Sequence, residues 1–238
     1  MLYLVGGIGN MVYLTGDTHG KVDLLKLNSK NFKEGTQLTK NDYVIVLGDF
    51  GLVWDNSRED LYWRNWLDNK PWTTLFIDGN HENFNLLYEF PIEYKLGAKV
   101  HKISNSMYHI CRGEILQIED KKLFAFGGAE SVDKAYRKEG KSWWEKELPT
   151  VNEMDKGIEN LEKVLFNVDF VLTHTCPSHV FPYVVNNDKT NGELERYLNF
   201  VSVQLKNKFN WYFGHFHKDM LGINGKYNCL YKKIVRII

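Results

Sequence analysis

The sequence predicts a mixed α/β fold built from layers of strands and helices. Short apolar runs recur along the chain and end in small or polar clusters, as buried strands of an α/β sheet do. Segments with helical periodicity lie between several of these runs. Residues 98–126 contain shorter strand-like pieces with no helix between them, which excludes a pure βαβ repeat.

Five apolar runs predict buried strands whose C-terminal ends carry polar loops. They are Val12 to Leu14 before Thr15-Gly16-Asp17, Tyr43 to Leu47 before Gly48-Asp49, Thr74 to Ile77 before Asp78-Gly79-Asn80-His81, Phe170 to Leu172 before Thr173-His174, and Trp211 to Phe213 before Gly214-His215. Loops at the carboxyl ends of such strands are where α/β proteins form their sites.

Four segments predict helices. They are Val22 to Leu27, Arg58 to Leu67, a third that starts with a capping box at Thr150 and Glu153 and runs towards Phe166, and a fourth from near Asn191 to about Lys206. The shorter predicted strands are Lys99 to Ile103, Met107 to Ile110, Glu114 to Ile118 and Lys122 to Phe126. Glu119-Asp120 predicts a turn, and Asn224-Gly225 predicts a hairpin near the C terminus.

Composition excludes several classes of protein. The 238 residues include 30 basic and 30 acidic side chains, so the formal net charge is zero and a polybasic nucleic-acid binder is excluded. A hydrophobic fraction of 43% is enough for one sizeable core and excludes a disordered chain. No Pro/Ser/Gly-rich linker divides the sequence, which favours a single domain over residues 1–238.

The cysteines and the N terminus predict a cytoplasmic protein. Cys111, Cys176 and Cys229 are odd in number and far apart in a chain too large to need disulfides, which favours a reducing compartment. The apolar start lacks a preceding Lys or Arg and a cleavage site, so we expect neither a signal peptide nor a membrane span. Because a strand pattern begins at Met11, we expect residues 1–10 to be an extension that the fold does not need.

Histidines concentrate after the predicted strands. Five of the eight stand shortly after a strand end, together with two aspartates and an asparagine. These residues are Asp17, His19, Asp49, Asn80, His81, His174, His215 and His217. A lone His in such a place is more often a core or surface residue, but five in equivalent places indicate one shared site.

The donor types and their number predict two metal ions. Asp17 and His19 are two residues apart, and His215 and His217 repeat this spacing. Imidazole nitrogen mixed with carboxylate oxygen suits Zn, Fe or Mn, whereas oxygen ligands alone suit Mg or Ca. Seven donors are too many for one ion, and a carboxylate can bridge two. The seven are Asp17, His19, Asp49, Asn80, His174, His215 and His217. Two such cations would draw an anionic phosphate and clamp an in-line displacement at phosphorus.

Five ordered blocks resemble the signature of the calcineurin-like metallophosphoesterase superfamily. They are Asp17-Thr18-His19-Gly20, Gly48-Asp49, Gly79-Asn80-His81-Glu82, the strand-terminal His174, and Gly214-His215-Phe216-His217. A single Asp-x-His would be weak evidence, whereas five ordered blocks are strong evidence. The resemblance implies a two-sheet mixed β sandwich flanked by helices, in an α/β/β/α four-layer arrangement. It also implies hydrolysis of a phosphate mono- or diester by a hydroxide that two divalent transition metal ions activate.

The resemblance also implies roles for individual residues. The implied ligands are Asp17, His19 and His217 for the first ion, Asn80, His174 and His215 for the second, and Asp49 bridging both. His81 would face the substrate, stabilise the transition state and protonate the leaving oxygen, for which an imidazole pKa is suited. Asp49, Asn80 and His81 are the catalytic residues that the resemblance implies.

One departure concerns the protein Ser/Thr phosphatases of the superfamily. Those enzymes follow the second block with Val-Asp-Arg-Gly, and that Arg grips phosphate. Here Asp49 is followed by Phe50-Gly51-Leu52-Val53-Trp54-Asp55. A protein Ser/Thr phosphatase stays an alternative only if another basic residue substitutes.

Residues 127–144 carry a weaker signal. Two glycines lead into a basic and aromatic segment that holds Lys134, Arg137, Trp143 and Trp144. One hypothesis is a lid over residues 130–145 in which Arg137 and Lys134 reach phosphate and a Trp stacks on a ring. The alternative is a solvated connection whose tryptophans pack on the core, and we favour it.

Other candidates have plainer interpretations. Trp54, Trp63, Trp66 and Trp72 would form an aromatic wall for a nucleoside or, as we favour, face the core. Cys176 is expected to be buried and inert rather than a ligand. We expect Glu82 to orient its loop by hydrogen bonding, and we assign no chemistry to His101, His109 and His179.

Two other function classes stay open. A non-catalytic metal-binding scaffold would keep the fold and one metal and would not need His81, but degenerate scaffolds lose ligands and none is missing here. A mononuclear oxygenase would use Asp17, His19 and one distant His, but it leaves Asp49, Asn80 and His215 unexplained. We expect a small phosphorylated substrate, with a nucleotide or short oligonucleotide open, and neither a membrane nor long duplex DNA as a partner.

Overall fold

Residues 9–185 and 192–238 are described by a computed structural model. The strands are β1 (Val12–Thr15), β2 (Tyr43–Leu47), β3 (Thr73–Ile77), β4 (Ile92–Lys95), β5 (Ala98–Lys102), β6 (Met107–Ile110), β7 (Glu114–Ile118), β8 (Lys121–Phe126), β9 (Phe170–Thr173), β10 (Asn210–Phe213), β11 (Met220–Ile223), β12 (Tyr227–Cys229) and β13 (Ile234–Arg236). The helices are α1 (Arg58–Asp68), α2 (Phe84–Leu87), α3 (Val151–Lys163), α4 (Phe181–Val184) and α5 (Glu193–Gln204).

The strands of the described residues form two mixed sheets. The first has seven strands in the order β13-β1-β2-β3-β6-β5-β4, and the second has six in the order β11-β12-β10-β9-β8-β7. In the first sheet β1, β2, β3 and β6 run parallel. In the second sheet β8, β9, β10 and β12 run parallel. Each sheet therefore has a parallel centre, and antiparallel strands lie at its edges.

Alternation of side chains along the buried strands produces the layers. In β2, Ile45 and Leu47 enter the core between the two sheets, whereas Val44 and Val46 face the opposite side. On that side they join a second core with Leu24, Leu67 and their neighbours. A third core packs α3 and α5 against the outer face of the second sheet. The predicted two-sheet sandwich flanked by helices is confirmed.

Most local predictions match the observed elements, and two differ. Residues 22–27 were expected to be helical, but only a 3-10 turn spans Leu24–Leu27. It ends at Asn28, whose side-chain oxygen accepts hydrogen bonds from the amides of Lys30 and Asn31. Strand β4 was not predicted because its residues are exposed rather than apolar and buried. The predicted helix start near Asn191 lies outside the described residues, and α5 begins at Glu193.

The C-terminal hairpin and the third helix show why some predictions succeed. Asn224 and Gly225 both have positive φ, 47° and 76°, as the tight turn between β11 and β12 requires. Helix α3 begins with the expected capping box, in which Thr150 accepts from the Glu153 amide and the Glu153 carboxylate accepts from the Thr150 amide. Both signals are local in sequence, so they need no tertiary contact to act.

The N-terminal residues and the hydropathy of the helices complete the description. Residues 1–8 lie outside the described part, and the dispensability of residues 1–10 stays a prediction. The Asn10 amide donates a hydrogen bond to Glu119 at 2.9 Å. Among the described residues, no helix combines the length and the apolar character that crossing a bilayer requires.

A buried ion pair anchors the end of β3, just before the loop that carries Asn80. The Asp78 carboxylate is fully buried and accepts from Nε of Arg112 at 2.8 Å and contacts Nε2 of His109 at 3.0 Å. Burial opposes ionisation of Asp78, but Arg112 and the His109 contact together outweigh it and lower the pKa of this carboxyl. The ion pair therefore fixes the backbone from which the next loop departs.

We expect Arg112→Met to lower the free energy of unfolding by about 3–5 kcal/mol, because it leaves the Asp78 charge buried without its partner. Urea denaturation measures this change. The matched control is Lys102→Met, which removes the cation of an exposed pair with Glu93 at 3.2 Å and is expected to change stability by less than about 1 kcal/mol. Equal effects of the two substitutions would contradict the anchoring role of Asp78.

Candidate metal centre

The residues singled out in the sequence lie at the carboxyl ends of the central parallel strands. Asp17, Asp49 and Asn80 follow β1, β2 and β3 of the first sheet, and His174 and His215 follow β9 and β10 of the second. The loops of the two sheets are joined by direct hydrogen bonds. The His174 ring bonds to the Leu47 carbonyl at 2.7 Å, and the His215 amide donates to Asp17 Oδ1 at 2.9 Å.

Four side chains form a compact donor cluster. One donor atom from each of Asp17, His19, Asp49 and His217 lies within 4.8 Å of all the others. His19 Nε2 is 3.4 Å from Asp49 Oδ2, and His217 Nε2 is 3.1 Å from Asp17 Oδ2. The His19 and His217 rings meet edge to face, with centroids 4.8 Å apart. Carboxylate and imidazole in this arrangement are a donor set for a transition metal.

Asp17 supplies a physical test of whether a cation fits. Its Oδ1 accepts from the His215 amide, but its Oδ2 is buried and has no hydrogen-bond partner in the described part of the chain. The nearest cationic or polar group to this oxygen is Nε2 of His217, which pairs with it at 3.1 Å. A buried carboxylate oxygen without a partner is costly. A cation between Asp17 and His217 would satisfy both atoms.

A second convergence lies on the other side of Asp49. His174 Nε2 is 3.3 Å from Asp49 Oδ1 and 3.2 Å from Asn80 Oδ1. Because His174 Nδ1 donates to the Leu47 carbonyl, a neutral His174 presents the Nε2 lone pair to these two acceptor oxygens. Three lone pairs then face one another, which again fits a cation.

The pKa shifts of His174 and Asp49 also indicate a site that positive charge would stabilise. Burial lowers the pKa of His174, but Asp49 and Asp17 outweigh it and raise that pKa to about 10. Burial opposes ionisation of Asp49, but His174 overcomes it and holds the pKa of Asp49 well below its usual value. A proton on His174 or a metal cation would each compensate the negative charge of Asp17 and Asp49.

His215 is near the second convergence but outside the four-residue cluster. Its ring lies edge to face against His174, with centroids 5.0 Å apart. Burial, with repulsion from His174, lowers the pKa of His215 to about 4. The imidazole is therefore neutral at pH 7 and keeps a lone pair available to a metal.

The backbone at the site is strained. His19, Asp49, His215 and His217 all have positive φ, between 43° and 67°. Residues other than glycine rarely adopt this conformation, and it concentrates at functional sites. Gly79 is needed for a different reason, because a Cβ there would lie 2.2 Å from Asp49 Oδ1.

Side chains distant in sequence orient the first cluster. Asp23 Oδ2 is 3.0 Å from His19 Nδ1, which directs His19 Nε2 towards Asp49. The Tyr231 hydroxyl donates to Asp23 at 3.0 Å, and the Tyr231 ring stacks on His217. Neither Asp23 nor Tyr231 is predicted from the sequence, since no strand-end pattern marks them.

Asn80 is oriented by a buried hydrogen-bond chain. Its Nδ2 donates to Ser131 Oγ at 3.1 Å, and Ser131 Oγ donates to Glu147 at 2.6 Å. The Ser131 amide also donates to Glu147 at 2.8 Å. Because the amide nitrogen is fixed on Ser131, the Asn80 oxygen points to His174. No sequence pattern predicts this series of hydrogen bonds.

His81 lies between the metal centre and the segment over residues 130–145. Its Nε2 is 3.9 Å from Asp49 Oδ2. Arg137 contacts both ring nitrogens of His81, Nδ1 at 2.7 Å and Nε2 at 3.2 Å, and forms a salt bridge with Asp133. Burial lowers the pKa of His81 and the Arg137 charge adds to this, against the attraction of Asp49. Arg137 thus favours a neutral His81.

The remaining candidates lie at the surface, in the apolar cores or beside the site. Lys134 forms an exposed salt bridge with Glu130 at 2.8 Å. Trp72 and Cys176 are buried in apolar cores. Glu82 accepts from the amides of Phe50 and Gly51, as expected of a residue that orients the loop after β2.

Comparison with known proteins supports the same family for most of the chain. The sequence profile of the calcineurin-like phosphoesterases matches residues 11–219. A crystal structure of a Staphylococcus aureus protein provisionally named a 5′-nucleotidase, in complex with alpha-ketoglutarate, superposes with a TM-score of 0.54 at 12% identity. The match covers 96% of this chain and 50% of that one, so this chain spans half of its length. This likeness concerns the fold alone. No curated protein sequence matches the chain.

We expect Ser131→Ala to weaken the binding of Mn²⁺ by about tenfold or more, because the Asn80 amide loses the contact that orients it. Calorimetric titration of the metal-free protein measures the affinity. The free energy of unfolding of the metal-free protein should fall by only about 1 kcal/mol. The control is Ser29→Ala at an exposed serine. An unchanged Mn²⁺ affinity of Ser131→Ala would show that the hydrogen bonds through Ser131 do not position Asn80 for metal binding.

Proposed function

The chain belongs to the calcineurin-like phosphoesterases, and we propose that it is a dinuclear metal-dependent enzyme that hydrolyses a phosphate mono- or diester of a small molecule. The observation that carries this proposal is the convergence of lone pairs on both sides of Asp49. One Asp49 oxygen faces His19, and the other faces His174. A carboxylate that presents one oxygen to each of two donor sets is suited to bridge two cations.

The residues present fit a pair of transition metal ions. The proposed ligands are Asp17, His19, Asp49 and His217 on one side, and Asp49, Asn80, His174 and His215 on the other. When bound, Mn, Fe or Zn would supply Lewis-acid polarisation of the phosphate and would lower the pKa of a water molecule. The unsatisfied Oδ2 of Asp17 supports the first set, and the approach of His174 Nε2 to the oxygens of Asp49 and Asn80 supports the second.

His81 is proposed to stabilise charge on the ester oxygens during P–O cleavage. The shorter of the two Arg137 contacts is to Nδ1, which favours the tautomer of neutral His81 that carries its proton on Nε2, 3.9 Å from Asp49. From there it can donate a hydrogen bond to the leaving oxygen. Complete proton transfer would require the imidazolium, which the Arg137 charge opposes. The geometry therefore favours transition-state stabilisation over the acid role.

We propose that Arg137 takes the role of the missing phosphatase Arg. Its guanidinium reaches His81 from the segment over residues 130–145, whereas the family's phosphatase Arg follows the second block. Its Nε is held by Asp133 at 2.7 Å, which fixes the plane of the guanidinium. We propose that Arg137 holds the His81 tautomer and contributes positive charge towards the phosphate.

We expect His81→Ala to lower kcat by about 100-fold or more while the metal content stays unchanged, because His81 faces the substrate and is not a proposed ligand. Turnover of p-nitrophenyl phosphate and of bis(p-nitrophenyl) phosphate with added Mn²⁺ measures the activity. Elemental analysis measures the bound metal.

The matched control is His179→Ala, because His179 bonds to Asn199 and Tyr227 and has no role in the proposed site. It should keep the turnover of the unmodified protein. Full turnover of His81→Ala would contradict its role. If the unmodified protein cleaved neither ester with metal present, the proposed function would be wrong and the non-catalytic scaffold would be favoured.

A further inference from the structure

A cavity of about 330 Å³ opens beside the metal centre. It shares His19 and His81 with the centre, and its other walls come from the loops after β1 and β2 and from the first turns of α1. A substrate whose phosphate lies at the centre can therefore extend its organic group into this cavity. The volume is at the lower end of the range for small-molecule sites and is sufficient for a group of nucleoside size.

The walls of the cavity are aromatic and aliphatic. Trp54 and Trp63 line it together with Leu52 and Val22. The Trp54 ring meets the Trp144 ring edge to face, with centroids 5.5 Å apart, and the Trp63 ring meets the Trp66 ring in the same way at 5.6 Å. These contacts fix the orientation of both indoles. Fixed indole rings form a stacking surface for a planar group at low entropic cost.

The backbone that carries Trp54 is also fixed. The amides of Trp54, Asp55 and Asn56 all donate to Asp60 Oδ2, at 2.9 to 3.0 Å. The Trp54 carbonyl accepts from Asn83 at 2.6 Å. The wall is therefore formed before any ligand enters, and Asn83 connects it to the loop of Asn80 and His81.

The charges around the cavity discriminate between organic groups. Lys21 is the one basic residue in its lining, and it forms a salt bridge with Glu59 at 2.7 Å. Asp55, Glu59 and Ser57 add acceptor oxygens at the rim. A second anionic group would meet these carboxylates unfavourably, whereas amino and hydroxyl donors would bond to them.

We propose that this cavity binds the planar, donor-bearing organic group of the substrate, so that the enzyme prefers phosphoesters of a nucleoside over esters of a small polyol or sugar. This inference rests on the proposed function, because it assumes that the phosphate is bound at the metal centre. The sequence hypothesis of an aromatic wall applies to Trp54 and Trp63, and Trp72 belongs to the core.

The test compares ester pairs that differ only in the base. Adenosine 5′-monophosphate and ribose 5-phosphate form the monoester pair, and their methyl esters form the diester pair. The unmodified protein with Mn²⁺ should have a kcat/KM on the order of 10- to 100-fold higher for the adenosine member of the pair that it hydrolyses. Trp54→Ala and Trp54→Leu should both reduce this ratio towards one. Trp54→Leu keeps apolar volume in the wall but removes the ring, so it distinguishes ring stacking from simple filling of the cavity. It also keeps the test valid if Trp54→Ala fails to fold.

The matched control is Phe200→Ala. Phe200 is an exposed aromatic residue on α5 and is absent from the cavity lining, so its loss should leave the preference for the adenosine ester unchanged. Equal kcat/KM for the two members of a pair would overturn the proposal, as would a preference that survives both Trp54 substitutions.

A binding experiment separates this inference from the proposed function. Adenosine without phosphate, added at millimolar concentration, should shift the indole NH resonances of Trp54 and Trp63 but not that of Trp211, which is buried in the core under α5. If these shifts occur and no phosphoester is hydrolysed, the cavity assignment stands and the hydrolase proposal fails. If esters are hydrolysed without base preference and adenosine causes no shift, the hydrolase proposal stands and the cavity assignment fails. If neither hydrolysis nor shifts occur, both are wrong.

Discussion

Two buried carboxylates, Asp17 and Asp49, set the electrostatic condition that the rest of the site satisfies. They lie where the loops of the two sheets meet, and their salt-bridge partners among the described residues are all histidines. An uncompensated buried charge is expensive, and histidines compensate it only if protonated or if they share a cation with it. The raised pKa of His174 and the unsatisfied Oδ2 of Asp17 both follow from this condition. The donor types favour a shared cation.

The strained backbone at the site is tolerated because the surrounding structure holds it in place. Four of the site residues have positive φ, and three tight cores and a buried ion pair hold the strands that deliver them. Lys26 contributes directly, since its ammonium donates to the carbonyls of Gly16, Asp17 and Tyr231 and ties the first loop to the C-terminal segment. The parallel centres of both sheets bring carboxyl ends together at one edge. The site is therefore a product of topology as much as of residue type.

The sequence predicts the parts of the molecule whose signals are local. Apolar runs identify the central strands, the capping box identifies α3, and the Asp-x-His and His-x-His spacings mark the loops that meet. The sequence does not predict which distant side chains orient them. Asp23 and Tyr231 are separated by 208 residues, and Ser131 reaches Asn80 across 51. Lys134 and Arg137 look equivalent in sequence, yet only Arg137 turns towards His81. These differences depend on tertiary packing and leave no periodic signal.

The central claim is that Asp49 lies between two cations, and anomalous diffraction from crystals soaked in Mn²⁺ tests it most directly. The account predicts two anomalous peaks, one among Asp17, His19 and His217 and the other among Asn80, His174 and His215, with the Asp49 carboxylate touching both. A single peak remote from Asp49, or none at saturating Mn²⁺, would contradict it.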